Sequence, residues 1–413
     1  MTPQSTREVA TDRERPTASP ALPFDPQEYA ARLDRVQAAM SQRSLTALVV
    51  VDPANLYYLT GYNAWSFYTP QCIVVPATGL PHLFARAMDA GGAHYTAYLD
   101  HTHIHGYPEH LVHRPDVHPF DWITDRAVEL GLLPDGQDVE IAAELDAHFF
   151  SPRGFLAIRN RLPHATVSDS RELVNWVRVV KSPAELEKLR RAGQVAEHVM
   201  RTALEAVHPG RRQCDVVADI EHAQALGIPG LGGDYPAIVP MLPTGETAGT
   251  PHLTWSDRPL VVGEATTIEL AGVHDRYHAP LARTISLGQP PTRLADCASA
   301  AGDGMEAALE SLRPGATGRD VHSAFTSVLS GHGLTKESRI GYSIGIGYPP
   351  DWGERTVSLR AEEQTEIRAG MAFHVILGMW MDGWGYETSE PVVVTESGAE
   401  QLTHLPRGLT VKN

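Results

Sequence analysis

Glu269 stands in TTIELAGV, a run whose other side chains are apolar, small or hydroxylated. A carboxylate in such a strand pattern is either neutralised by a neighbouring cation, Arg283 of HAPLARTISLG being the candidate, or kept for a site. His252 of PHLTW is either a plain loop histidine behind Pro251 or a proton carrier, since imidazole titrates near neutral pH. In LDHTHIHGYPEH, His101, His103 and His105 fall at strand spacing on one face, the pattern of a metal site or of a solvated sheet edge; we read the edge. Trp65, Phe67 and Tyr68 offer π-faces, and a delocalised cation on such a face gains roughly 0.5–2 kcal/mol. Arg355 or Arg283 could fork onto a carboxylate. Trp352 in PPDWGER reads as core or as site, with Asp351, Glu354 and Arg355 around it able to form a salt-bridged loop. WMDGWGYE is a pocket wall or a turn.

The elements that must hold these residues divide near Lys181. From about residue 24 to 180, short β-rich runs (ALVVVD, QCIVVPATGLPHLFAR, EIAAELDA) alternate with amphipathic stretches, which reads as an α/β domain with a mixed sheet. KSPAELEKLRRAGQVAEHVMRTALEAVHPG opens residues 181–413 with a long helix: Ser182 is the cap, Pro183 fits the first turn and Glu185 completes a capping box. TALEAVHPGRRQCDV returns about a hundred residues later as AALESLRPGATGRDV, which suggests two related halves facing each other. Strand signals close each half, TTIELAGV and HAPLARTISLG in the first, MAFHVILGMW and EPVVVTESG in the second.

Composition narrows the class. A chain of 413 residues, 42% hydrophobic, has enough apolar content for two cores. Residues 1–23, rich in Pro, Ser, Thr and charge, read as a disordered tail. The net charge of −16 would repel nucleic acid. With no membrane-length apolar run and no signal-like N-terminus, a cytoplasmic protein is expected. Cys72, Cys214 and Cys297 are odd in number and far apart, so they read as buried thiols rather than a disulfide framework.

Several motifs occur in a familiar order: NLYYLTGY, VKSPAELEKLRRA, TPHL, TIELAG, ART, GYSIG, GMAFHV and VVVTESG. In this the chain resembles the pita-bread superfamily of methionine aminopeptidases, prolidases and creatinases. The resemblance implies a creatinase-type α/β N-terminal domain followed by an α+β pita-bread domain with an internal pseudo-twofold repeat. In the metallopeptidase members two Asp, one His and two Glu hold a pair of divalent ions. Here those positions fall on Glu269, Pro280, Tyr342, Ile376 and Ser389. Pro and Ile cannot coordinate a cation, and a slip of register that brought in Glu387 or Glu390 would still leave a poor dimetal site. We therefore expect neither metal nor other cofactor.

LTGYNAWSFY, NWVRVVKSPAE, GGDYPAIVPMLPTG, PHLTW and GYSIGIGYPPDWGERT resemble most closely the branch of ectoine hydrolases. That resemblance implies opening of the cyclic amidine of ectoine or hydroxyectoine to an N-acetylated 2,4-diaminobutyrate, which a partner deacetylase would process. It makes Glu269 the nucleophile or base and His252 the proton shuttle. Trp65, Tyr68, Tyr342, Trp352, Arg355, His278, Glu387 and Glu390 become candidates for substrate contact, Tyr342 being equally readable as core. The family pattern is a homodimer in which Trp65 and Tyr68 act in trans. The alternatives are a creatinase-like amidinohydrolase, an interaction protein without catalysis, and, least favoured, a metal-dependent Xaa-Pro peptidase.

Overall fold

A computed structural model describes residues 22–413; the tail expected over 1–23 lies almost wholly outside the described residues. The chain forms two compact units, Met1–Arg171 and Glu172–Asn413.

The first unit runs α1 (Pro26–Gln42), β1 (Ala47–Val50), α2 (Pro53–Thr60), β2 (Cys72–Pro76), β3 (His82–Arg86), α3 (Ala87–Thr96), β4 (Ile104–Tyr107), α4 (Pro119–Glu129), β5 (Glu140–Ala143), α5 (Pro152–Arg161) and β6 (Thr166–Asp169). Its sheet, six-stranded among the described residues, has the order β4-β3-β2-β1-β5-β6. β2 runs antiparallel to both neighbours while β1-β5, β5-β6 and β3-β4 are parallel, the mixed sheet expected. Continuous burial of ALVV and of CIVV explains why these strands lack polar alternation: both faces are covered.

The histidine-rich segment departs from its strand reading. His101–His103 form a 3-10 turn capped by Asp100, so only His105 lies on β4. The partner brought to it is His82 of β3: the rings stack, Nδ1 of His82 lies 2.9 Å from Nε2 of His105, and His103 leans on His82. Burial pushes the His82 and His105 imidazoles down to about 4.

The second unit begins with α6 (Leu173–Arg178) and α7 (Pro183–Ala206), then α8 (Gln213–Leu226), β7 (Ala265–His274), β8 (Tyr277–Leu287), α9 (Thr292–Ser311) and α10 (Gly318–Gly331). β9 (Gly341–Tyr348), β10 (Asp351–Ser358), β11 (Ala372–Met381), β12 (Trp384–Thr395), β13 (Gly398–Gln401) and β14 (Thr410–Lys412) complete it. The capping box forms as expected: Ser182 accepts from the Glu185 amide, and the Glu185 carboxylate accepts from the Ser182 amide. The two echoed segments are the joints α7-α8 and α9-α10. Each repeats a helix, a Pro-Gly break and a second helix whose Val, 216 or 321, is buried. Each joint precedes long antiparallel strands, β7-β8 in one half and β11-β12 in the other.

The sheet, eight-stranded among the described residues, has the path β13-β12-β11-β9-β8-β14, with β7 on β8 and β10 on β9. α7 lies against β7 so closely that a methyl group on Gly272 would meet the backbone of Ala192 and Ala196. The WMDGWGYE segment resolves as a turn: Met381 pairs with Trp384 across Asp382 and Gly383, and Gly383 takes the left-handed φ of 72°. Among the described residues no helix is long and apolar enough to cross a membrane, and the three cysteines are free, Cys72 and Cys297 buried and Cys214 partly exposed.

Candidate active site

Alternation along the strands sorts the polar residues of the second unit into two faces. Glu269 on β7 pairs with Ala282 on β8; on the same parity of β12 stand Glu387 and Ser389. His374 on β11 is opposite Tyr342 on β9, and Ile376 is opposite Ser389. These side chains share the face of Glu269. Arg283 and Glu390, one residue out of step, point to the other face, so the ion pair considered between Glu269 and Arg283 does not form.

On that other face the Arg283 guanidinium is fully committed. It donates to Glu390 at 2.6 Å, to the carbonyls of Ala282, Ser389, Leu405 and Pro406, and is buried throughout. Thr403 completes Glu390 at 2.6 Å. Neither residue presents a group to a ligand; the pair locks β8 to β12 and to the chain after it. His278 is likewise closed: Nε2 accepts from the Ala237 amide at 2.9 Å and Nδ1 donates to the Arg276 carbonyl at 2.8 Å. Burial, then the Arg276 charge, holds it well below the usual imidazole range, so it is a neutral strut for the 234–238 loop.

The face of Glu269 is acidic and mostly dry. Glu269 is 8% exposed, and burial followed by the nearby Asp351 charge pushes its carboxyl up to about 7. Burial, then the Glu269 charge, drives Glu387 well above the ordinary range, so this pair does not ionise twice at neutral pH. The cation beside them is Lys336, whose Nζ donates to the Gly378 carbonyl at 2.6 Å and to Ser338; burial brings it down to about 8 although Glu387 pulls the other way. Arg339 lies over the Tyr342 ring at 4.4 Å.

Behind the carboxylates runs a neutral chain. Trp352 Nε1 donates to the Tyr342 hydroxyl at 2.9 Å, His374 Nδ1 meets that hydroxyl at 3.0 Å, and His374 Nε2 meets Ser389 Oγ at 2.6 Å. Ser389 Oγ accepts the Ala282 amide at 2.7 Å. Trp352, 1% exposed among Ala237 and Ala271, is a core residue that orients Tyr342. Asp351 caps the Gly353 amide, and Glu354, buried with Lys181 and Arg178, fixes the other face of β10. Arg355, at φ 56°, reaches Glu172 at 3.3 Å.

His252 sits on an exposed loop at a left-handed φ of 64°. The segment leading to it is tied to the strand of Glu269: Met241 pairs with Glu269 and Thr244 with Thr266. The 3-10 turn Gly245–Gly249 then packs on the β11-β12 hairpin, where a side chain at Gly385 would strike the Ala248 carbonyl. Trp65 and Tyr68 lie in the first unit, 57% and 58% exposed; Trp65 contacts the Phe67 ring and Tyr68 accepts from Arg86.

Of the residues read from sequence, the structure therefore brings together Glu269, Glu387, Tyr342 and Trp352, with Asp351 beside them. Sequence reasoning misses His374 and Lys336. A lone histidine in the apolar strand MAFHVILGMW is the available signal for the first, of the same kind as Glu269 in TTIELAGV.

A model of metallopeptidase family M24 matches residues 187–396, and one of the creatinase/prolidase N-terminal domain matches 32–180. The chain belongs to metallopeptidase family M24. It is a hydrolase, with a creatinase-type N-terminal domain and a pita-bread C-terminal domain. The relatives of this chain include the ectoine hydrolase of Halomonas elongata, 42% identical over 403 residues, covering 95% of this chain and 99% of that one. Dipeptidase PepE of Mycobacterium ulcerans superposes with a TM-score of 0.77 at 28% identity, covering 94% and 99%. A prolidase of Thermococcus sibiricus reaches 0.80 at 17% identity over 94% and 99%, a likeness of fold alone.

The family implies a metal pair, and the donors present do not fit one. Of the five positions that the family resemblance assigns to ligands only Glu269 carries a carboxylate; Pro280 and Ile376 have no donor, and the Tyr342 and Ser389 oxygens are engaged by protein N–H groups. Among the described residues no group of three or more His, Cys, Asp or Glu side chains is placed to hold a metal ion.

Proposed function

We propose that the chain is an ectoine hydrolase that works without metal. The observation that supports this reading is a buried carboxylate pair, Glu269 with Glu387, and the partly buried Asp351 acting on Glu269, where the resemblance puts the family's metal pair, backed by neutral groups whose polar atoms are engaged with one another. The Halomonas elongata relative, named an ectoine hydrolase and aligned over nearly its whole length, supplies the substrate. A carboxylate-rich pocket favours a cation, and an amidinium brings to its own carbon the positive charge a Lewis acid would otherwise supply.

In this mechanism a Glu269 oxygen attacks the amidinium carbon between the two ring nitrogens, and the C=N π pair moves to nitrogen. His252 gives a proton to the departing nitrogen as the C–N bond breaks. Water then adds to the same carbon, His252 takes one of its protons, the C–O bond to Glu269 breaks with the electron pair going to Glu269, and the second water proton passes to the freed amine as the water oxygen becomes the amide oxygen of N-acetyl-2,4-diaminobutyrate. Glu387, whose carboxyl is pushed up by burial and by the Glu269 charge, and Tyr342 line the reacting face, and Arg355 is the remaining candidate for the substrate carboxylate. His278, Glu390 and Arg283 support the site from positions closed to ligand. Trp65 and Tyr68 as contacts in trans, a cytoplasmic homodimer and a deacetylase acting on the product belong to the same reading, on the family resemblance.

The test is incubation of the purified protein with ectoine, hydroxyectoine, creatine and an Xaa-Pro dipeptide, followed by NMR, with metal content measured on the same sample. Ring-opened product at substoichiometric metal, insensitive to chelator, is expected. Glu269→Gln and His252→Ala should each lower turnover by about 10²–10⁴-fold. Dipeptide cleavage, or activity lost to chelator, refutes the reading.

A further inference from the structure

The β11-β12 hairpin turns its two tryptophans to opposite faces. Trp384 has the parity of Tyr386 and Val392, packs with the core under α9 and α10, and carries Arg293 over its ring at 5.2 Å. Trp380 has the parity of His374 and Ile376, the face of Glu269. Along that face of β11, His374 is buried, and the side chains that keep partial exposure are Ile376 and Trp380.

Two glycines decide what lies beside Trp380. Gly378 leaves a gap on the site face and the indole fills it: a Cβ on Gly378 would stand 2.7 Å from Cε2 and 3.0 Å from Cη2 of Trp380. Gly378 is opposite Glu387. The Glu387 amide and carbonyl are both engaged by the Thr284 hydroxyl, and the Gly378 carbonyl by Lys336, so the two residues exchange no backbone bonds. They form the narrow kind of antiparallel pair, in which facing Cβ positions are about 5 Å apart, and the indole lies beside the Glu387 side chain. Gly385, opposite Trp380, leaves the second gap, and the Ala248 carbonyl enters it. The turn Gly245–Gly249, from which the chain continues to His252, therefore borders the tryptophan on the same face. From Ile376 the row runs on through Ser389, whose Oγ accepts the Ala282 amide at 2.7 Å, to Glu269 opposite Ala282.

We propose that Trp380 is the aromatic platform on which the planar cation of the substrate lies beside Glu387, and that Gly378 is the positioning residue that makes room for the ring. The proposal rests on the amidine reading of the proposed function and adds to it a substrate contact from the unit that carries Glu269. A delocalised cation is attracted flat onto an indole face, so the ring and the Glu387 carboxyl act on the same charge from two sides.

Isothermal titration with ectoine tests this on the full-length protein, in a Glu269→Gln parent that keeps the ligand unreacted. Trp380→Leu should weaken binding by about 5–30-fold, and Trp380→Phe, which keeps a π-face, by no more than about threefold. Gly378→Ala should weaken it by about the same factor as Trp380→Leu, with the melting temperature unchanged, because its methyl group displaces a side chain that can swing away rather than backbone. The double variant Gly378→Ala/Trp380→Leu should be no weaker than Trp380→Leu alone, since the methyl acts through the ring. A parent that binds ectoine while Trp380→Leu and Gly378→Ala bind it equally well overturns the platform and leaves the proposed function standing; losses that add in the double variant overturn the role of Gly378. A parent that binds no ectoine, with a wild type that leaves it intact, refutes the proposed function and the platform with it.

Discussion

Glu269→Gln should stabilise the protein while lowering the turnover proposed for it, and the gain should grow with pH in a calculable way. Burial, with Asp351 adding to it, lifts the carboxyl in the folded protein from an ordinary 4.5 to about 7. A raised acid costs nothing below its unfolded value, where both states are protonated; the cost grows as pH climbs from the unfolded to the folded value and is complete above the latter. A tenfold change in proton affinity is worth about 1.4 kcal/mol, so the liability is about 1 kcal/mol at pH ~5, reaches about 3 kcal/mol at pH ~7 and levels off above that. Glutamine keeps the shape and removes the charge, and it also relieves Glu387, which Glu269 opposes. Urea midpoints of the transition of the 172–413 unit, compared between wild type and variant from pH ~4.5 to ~8.5, should diverge progressively. A difference that is flat across that range would mean that Glu269 is solvated or paired, and the acidic-pocket reading would fall.

Arg283→Met should cost about 3–5 kcal/mol, because it strands the buried Glu390 carboxylate and four carbonyls; thermal melting checks it, and a loss under about 1 kcal/mol would mean that the pair is hydrated. Gly272→Ala should cost at least about 1–3 kcal/mol in the same melting experiment, since its methyl group has to displace the α7 backbone rather than a flexible side chain. Trp352→Phe keeps an aromatic ring but removes the indole donor to the Tyr342 hydroxyl, which is then held by His374 alone; kcat should fall by about tenfold with a smaller change in KM, measured by steady-state kinetics.

How much of this is legible in the residues depends on whether the signal is local. The cap and box at Ser182 and Glu185 are short-range chemistry, and they form as expected. The long apolar strands are legible because burial on both faces leaves continuous runs. The pairing of Arg283 is not: sequence places it and Glu269 fourteen residues apart on neighbouring strands, and only the register decides that they face opposite ways. His101 and His103 fail as strand residues for the reverse reason, since Asp100 captures the Thr102 amide and turns the chain before a strand can start. Lys336 carries no pattern at all; it enters the site through a loop after α10, and its proximity to Glu387 exists only in three dimensions.

On the proposed reading, loss of the ligand set accounts both for what the pocket lacks and for what it would select. In an M24 metal site the carboxylates are neutralised by the ions they hold. Here three carboxylic groups share a poorly hydrated face with a half-buried ammonium near its own titration point, and two of them sit at raised affinity for protons. Replacing the remaining ligands by charged residues would have deepened that imbalance or quenched Glu269 in an ion pair. Tyr342, His374, Ser389 and Trp352 do neither: they fill the space with dipoles whose hydrogen bonds close among themselves, and they leave the negative potential intact. In the proposed mechanism a planar cation entering the site meets a field already oriented toward it, so the electrostatic cost of assembling the carboxylates is met in the fold, and their attraction is available to the charged carbon that Glu269 would attack.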